Sequence, residues 1–187
     1  MREVLATSCV LALGFFTPAE TRYPVADVAL AQPLMQKAWE AADHRGALEI
    51  ERRWPGSFPA FRLIAEKGDV DLIVLSGNGR RTLALGPGHL PSSALPGEIG
   101  NTVVTGRRDT FFRFLSGLAV DDSIVIETLS GKKHLYRIVG IDVVDARRSS
   151  VVLDTPQSML SLVTGYPFDP AENADALRFV VTAKMLF

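Results

Sequence analysis

The sequence predicts an all-β domain, a barrel or a sandwich, entered through a helical arm. Three observations carry this. From Phe61 to Met185 the chain divides into eight short runs rich in Val, Ile and Leu, and clusters of turn-forming residues separate them. Within this stretch only Asp109–Leu118 reads as a short helical turn. Many short strands without intervening helices suit a closed or two-sheet β fold rather than alternating α/β units.

The elements follow in chain order. Val4 to Phe16 is an almost unbroken apolar run behind Met1, Arg2 and Glu3. It is shorter than the roughly 20 residues of a spanning helix. It has the size of the apolar part of a signal peptide, with Thr17-Pro18-Ala19 as small residues at a cleavage position. Residues 1–19 are therefore expected to be a signal peptide or membrane anchor, the alternative being a buried core element. Residues 20–58 form the expected helical arm and a connector. Leu30, Leu34, Ala38 and Ala42 recur at helical spacing, with Met35 and Trp39 one step along, Pro33 in a first turn or at a break, and Gly46 at a stop position. Trp54-Pro55-Gly56-Ser57 and Pro59 then read as a turn-rich connector. The barrel is expected over 59–187, with strands at Phe61–Glu66, Val70–Leu75, Thr82–Leu85, Asn101–Thr105, Ser123–Thr128, His134–Val144, Ser161–Tyr166 and Arg178–Met185.

Composition narrows the chemistry. The 187 residues carry 20 Lys and Arg against 21 Asp and Glu, a formal charge of −1, so no basic stripe points to nucleic acid. The single cysteine, Cys9, excludes an internal disulfide and a cysteine-rich zinc site, and no His/Asp/Glu cluster has ligand spacing. Neither a metal nor a cofactor is expected. Cys9 sits in the middle of the apolar leader, which disfavours a lipoprotein and makes it a small hydrophobe. His44 and His134 fall on a helix end and a strand and read as solvated.

Three segments carry more than periodicity. Gly86-Pro87-Gly88-His89-Leu90-Pro91-Ser92-Ser93-Ala94-Leu95-Pro96-Gly97 leads into Gly100-Asn101-Thr102-Val103-Val104-Thr105-Gly106-Arg107-Arg108-Asp109-Thr110. Later come Leu162-Val163-Thr164-Gly165-Tyr166-Pro167-Phe168 and Leu177-Arg178-Phe179-Val180-Val181. Together they resemble the sortases, extracytoplasmic cysteine transpeptidases built on an eight-stranded β-barrel, and most closely the proteobacterial (class GN) group. The resemblance runs from about Leu30 to the C-terminus. It implies a location at the cell inner membrane or in the periplasm, and as ligand a peptide with a Leu-Pro-type sorting motif or a cognate exported protein.

The family motifs read Gly-His-Arg-Asp-Thr and Thr-Cys-Tyr-Pro-Phe. Here Arg107 stands at the histidine and Gly165 at the cysteine, while Arg178 matches the third catalytic residue. A thiolate attacks the peptide carbonyl in such enzymes, and an imidazole moves the proton. Glycine has no side chain to attack with, and a guanidinium stays protonated near neutrality. The resemblance thus implies a catalytically silent homologue whose groove, with Arg107, Arg178, His89 and Thr164 as binding residues, holds a peptide or partner. Arg107 and Arg178 in one groove imply an anion between them, unless Arg107 turns to Asp109 or to solvent. Strand alternation directs the Thr164 hydroxyl away from the Gly165 face. Arg108 reads as a surface residue. Two alternatives stay open: a transpeptidase or hydrolase with a displaced nucleophile, such as Ser92 or Ser93 with His89, and a structural barrel without ligand.

Overall fold

The computed structural model describes residues 11–12, 25–40, 50, 52–169 and 176–186. Cys9, Thr17–Ala19, His44 and Gly46 lie outside the described residues. Of the apolar leader only Leu11–Ala12 is described; its backbone pairs antiparallel with Ser150–Val151.

Eight strands close into a barrel: β1 (Pro59–Ala65), β2 (Val70–Ser76), β3 (Gly88–His89), β4 (Gly100–Thr105), β5 (Ser123–Thr128), β6 (Lys133–Asp145), β7 (Ser158–Gly165) and β8 (Leu177–Met185). Around the barrel they run β8-β6-β5-β1-β2-β3-β4-β7 and return to β8. The β2–β3 and β4–β7 pairs are parallel and the others antiparallel. Alternation along the strands sends Phe61, Leu63, Ile124, Ile126, Tyr136, Ile138, Leu160, Leu162, Val181 and Ala183 into one core. Each large side chain there contributes about 1.5–3 kcal/mol of burial. A helical turn, Arg113–Gly117, sets Leu115 and the preceding Phe112 into the same core.

Seven expected strands are present within a few residues of their expected bounds. The eighth differs: Arg80–Leu85 is a short helix, α2, that buries Thr82, Leu83 and Leu85. Thr-Leu-Ala-Leu is too short a run for periodicity to separate strand from helix, and the arginines and leucines around it are good helix formers. The missing strand is instead β3, two residues inside the Gly/Pro loop, where Leu75 pairs with Gly88 and His89 with Val104. Its Gly88 has no Cβ because the Gly77 carbonyl occupies that space.

The arm forms helix α1 (Val25–Glu40), which continues through Pro33. Its buried face is Ala31 and Met35 against Ile73, Leu75, Leu85 and Trp54, with Ala38 and Trp39 beside them. The expected Leu30 and Leu34 stripe is exposed, at 48% and 36%. Gln32 sets this rotation. Its amide donates to the Ile73 and Leu85 carbonyls at 3.0 and 3.2 Å and accepts from the Ile73 N–H at 2.8 Å, which holds the helix one residue round from the leucines.

His134 is also corrected: it is buried, not solvated, with its ring filling the space where Gly97 lacks a Cβ. The core Tyr136 hydroxyl accepts from the Gly97 N–H at 3.0 Å, so the Gly86–Gly97 loop is fastened to the barrel interior.

Candidate functional site

The motif residues converge at one end of the barrel. Strand β4 runs parallel to β7 with Thr105 beside Val163, and β8 lies on the other side of β7 with Arg178 directly opposite Gly165. Opposed residues of an antiparallel pair project to the same face. Leu162 points into the core while Val163 joins Val103 and Leu153 in a separate cluster outside it. By alternation Gly165 and Arg178 therefore lie on the face away from the core, the face on which Val103, Val163 and Leu153 form a second, smaller buried cluster.

After β4 the chain turns through Gly106-Arg107-Arg108-Asp109. Two hydrogen bonds fix this turn to β7: the Gly106 N–H donates to the Val163 carbonyl at 3.2 Å, and the Thr164 hydroxyl donates to the Gly106 carbonyl at 2.7 Å. A Cβ on Gly106 would lie 2.6 Å from the Phe112 ring, so only glycine fits under that ring as it stands.

Arg107 turns to Asp109, one of the orientations the sequence left open. Its Nε and an Nη hold both oxygens of Asp109 at 3.1 and 2.7 Å. This bidentate bond raises the guanidinium above its ordinary value, with desolvation opposing, and the same bond holds the Asp109 carboxyl below its ordinary range. Arg108, read as a surface residue, is instead half-buried and crosses the site. Its Cδ is 3.4 Å from where a Cβ on Gly165 would be, an ordinary contact. Arg178 donates one Nη to its neighbouring Leu177 carbonyl at 2.8 Å.

His89 and Thr164 are placed elsewhere. Thr164 is buried and its hydroxyl is committed to the turn just described. His89 pairs with Val104, a core residue, and its ring meets Phe61 edge-on at 5.5 Å, so it faces the barrel interior and not the Gly165 groove. Burial pushes its imidazole below the ordinary value.

Ser93 Oγ sits 3.0 Å from His89 Nε2, the geometry of a nucleophile and base. The surrounding bonds oppose that use. Nε2 is also 3.1 Å from the Ala94 carbonyl, which requires a proton on that nitrogen and so leaves it no lone pair for Ser93. The Ser93 hydroxyl donates to the Leu90 carbonyl at 2.7 Å and accepts from the Val103 N–H at 3.0 Å. The pair fastens a loop. No group of His, Cys, Asp and Glu suited to a metal occurs among the described residues.

Closed eight-stranded architecture with this strand order is the sortase fold. The solved Sortase D5 transpeptidase of Clostridium perfringens superposes with a TM-score of 0.67 over 87% of this chain and 99% of that one, at 21% identity, a likeness of fold. Sortase C-1 of Actinomyces oris superposes with a TM-score of 0.61 over 69% of this chain and 75% of that one, at 26% identity. A curated relative, Sortase D of Bacillus subtilis (strain 168), is 33% identical over 119 residues, 63% of this chain and 59% of the relative's length. The sortase-domain family model matches residues 63–186, and the chain belongs to the sortase family.

Arg108 and Gly106 are the site residues that sequence reasoning missed. Both lie in the turn after β4, and only the register of β4 against β7 reveals which of two adjacent arginines reaches Gly165.

Proposed function

We propose that this protein is a catalytically silent sortase homologue of the proteobacterial (class GN) type, which works outside the cytoplasm and binds a sorting-signal-like peptide or a cognate exported protein without cleaving it. One observation carries the reading: the position opposite Arg178 is Gly165, with no side chain, in a chain whose single cysteine is Cys9. Loss of the nucleophile from a cooperative catalytic set costs on the order of 10⁶ in turnover. Arg107, held by Asp109, stays charged and moves no proton. The displaced-nucleophile alternative is weakened by the proton that the Ala94 carbonyl demands on His89. Among the described residues no helix is long and apolar enough to cross a membrane.

The test is cleavage of a quenched Leu-Pro-x-Thr-x peptide by the parent and by an Arg107→His, Gly165→Cys double variant. The Gly165 backbone accepts a side chain and a Cβ there has only ordinary contacts, so the variant is expected to fold. No turnover by the parent and measurable turnover by the variant is the expected result. Parent turnover at the variant's rate overturns silence, and inactivity of both favours the structural barrel.

A further inference from the structure

Resting on the reading of residues 1–19 as a membrane anchor, we propose that the outer face of α1 docks on the surface of a lipid bilayer through Leu30 and Leu34.

The helix is apolar on two sides. Its inner side, Ala31 and Met35 with Ala38 and Trp39, packs against Ile73, Leu75, Trp54 and Leu85. Its outer side carries Ala29, Leu30, Pro33 and Leu34, all exposed. A helix that is apolar all round is ordinarily covered all round. Rolling the helix inward does not supply the missing cover, because the buried Gln32 is held by three hydrogen bonds to Ile73 and Leu85. The two leucines are therefore fixed in an outward position.

Charge around this face suits an anionic surface. The acids of α1, Asp27 and Glu40, stand near its ends, and Glu40 lies 3.8 Å from Arg62. Between them the one charged residue is Lys37, exposed and one turn on from Leu34. The short helix α2 is joined to α1 by the bond from Gln32 to Leu85, and Arg80 and Arg81 are exposed in its first turn. An apolar stripe flanked by cations on long stems is the pattern of a helix that lies in the bilayer interface.

The chain itself brings a bilayer to this face. The apolar run Val4–Phe16 is followed by the eight residues Thr17–Pro24, which lead directly into α1. Eight extended residues reach about 28 Å at most. A leader held in a bilayer thus keeps α1 beside it. Leu11–Ala12 meets the barrel in a two-residue pairing with Ser150–Val151, a small contact to release on insertion. A protein partner fits this face less well. A stripe one helix wide and about 24 Å long falls well short of the roughly 800 Å² that each side of a stable protein interface buries.

The experiment is fluorescence quenching of the full chain on phosphatidylcholine–phosphatidylglycerol vesicles that contain a nitroxide-labelled lipid. In a Cys9→Ala background, Ala29→Cys carries an environment-sensitive dye beside the leucines. Lys184→Cys carries the same dye on the exposed face of β8, four strands from β2 in either direction around the barrel. Vesicle flotation reads attachment of the chain independently. The dye at position 29 is expected to be quenched and the dye at 184 not. Leu30→Gln with Leu34→Gln should lower the quenching at 29 severalfold, with flotation and the thermal midpoint unchanged. Flotation without quenching at 29, equal quenching at the two positions, or quenching that survives the leucine replacements overturns docking of α1 and leaves the anchor in place. Absence of flotation overturns both. Light scattering without vesicles covers the remaining occupant: a dimer that the leucine replacements dissociate assigns this face to a second copy and overturns the bilayer.

Discussion

Two glycines meet at the open end of the barrel, and they are there for opposite reasons. Gly106 is imposed by packing: the Phe112 ring occupies the place of its side chain at 2.6 Å. Gly165 is imposed by nothing nearby, since its backbone suits any residue and its nearest neighbour is 3.4 Å from a built Cβ. The first glycine is therefore part of the scaffold that shapes the turn, and the second sits where the scaffold has room for a side chain. The contrast separates a glycine that packing requires from one that it does not: opposite Arg178, the strand register leaves a position that would take a side chain.

The largest effect should come from Gly106→Ala. Forcing a methyl into the Phe112 ring is overpacking, which costs about 1–3 kcal/mol. For a chain of this size the thermal midpoint should fall by about 2–4 °C for each kcal/mol. A midpoint unchanged within a degree would show that the ring moves freely and would remove the distinction between the two glycines. Next comes Thr164→Val, which keeps the shape but leaves the Gly106 carbonyl without its 2.7 Å donor. An unmet, partly buried acceptor costs about 1 kcal/mol or more. Urea unfolding should show the midpoint shift with an unchanged slope.

Most of this architecture was readable in the sequence, and the exceptions have specific physical causes. Strands such as Ser123–Thr128 and Leu177–Met185 announce themselves because alternation and turn signals agree. Gly88–His89 does not, since two residues cannot display a period and their glycine and flanking proline read as loop. The rotation of α1 was misread by one residue because three hydrogen bonds of the polar Gln32 outweigh the preference of Leu30 and Leu34 for burial. In the site, the departures of Arg107 and Gly165 from the family motif are a reading of the motif alone. Which arginine crosses Gly165 was not, because adjacent residues in a turn point in directions that depend on tertiary hydrogen bonds. Thr164 and His89 fall on the motif yet turn away from the groove, for the same reason that alternating strand residues do.

The Arg107–Asp109 pair tests whether the turn depends on its surface charges. Both side chains are nearly half exposed, at 45% and 47%, so the pair is worth about 0–1 kcal/mol at most. The sign is fixed by Asp109, whose carboxyl is held below its ordinary value of 3.8 by the Arg107 bond. On acidification the unfolded chain takes up this proton before the folded one does, so the contribution is complete above that value and disappears below it. Thermal scans of the parent and Asp109→Asn should therefore differ slightly at neutral pH and converge at strongly acid pH. A gap that widens on acidification would mean that Asp109 acts through something other than this pair.

The smallest effect, and the one that decides the comparison, belongs to Gly165→Ala. No ring or carbonyl blocks the added methyl, and the alanine restricts the unfolded chain more than glycine does. The variant should be neutral to stabilised by about 0.5 kcal/mol, opposite in sign to Gly106→Ala. Chemical denaturation of the two variants side by side reads the signs directly. If Gly165→Ala instead loses as much stability as Gly106→Ala, then Arg108 is packed too tightly to yield, Gly165 is itself structural, and the position lacks the room that a side chain would need. A neutral result shows that Arg108 yields to a side chain at Gly165, which is the packing condition that the Gly165→Cys, Arg107→His variant must meet before its cleavage can be read.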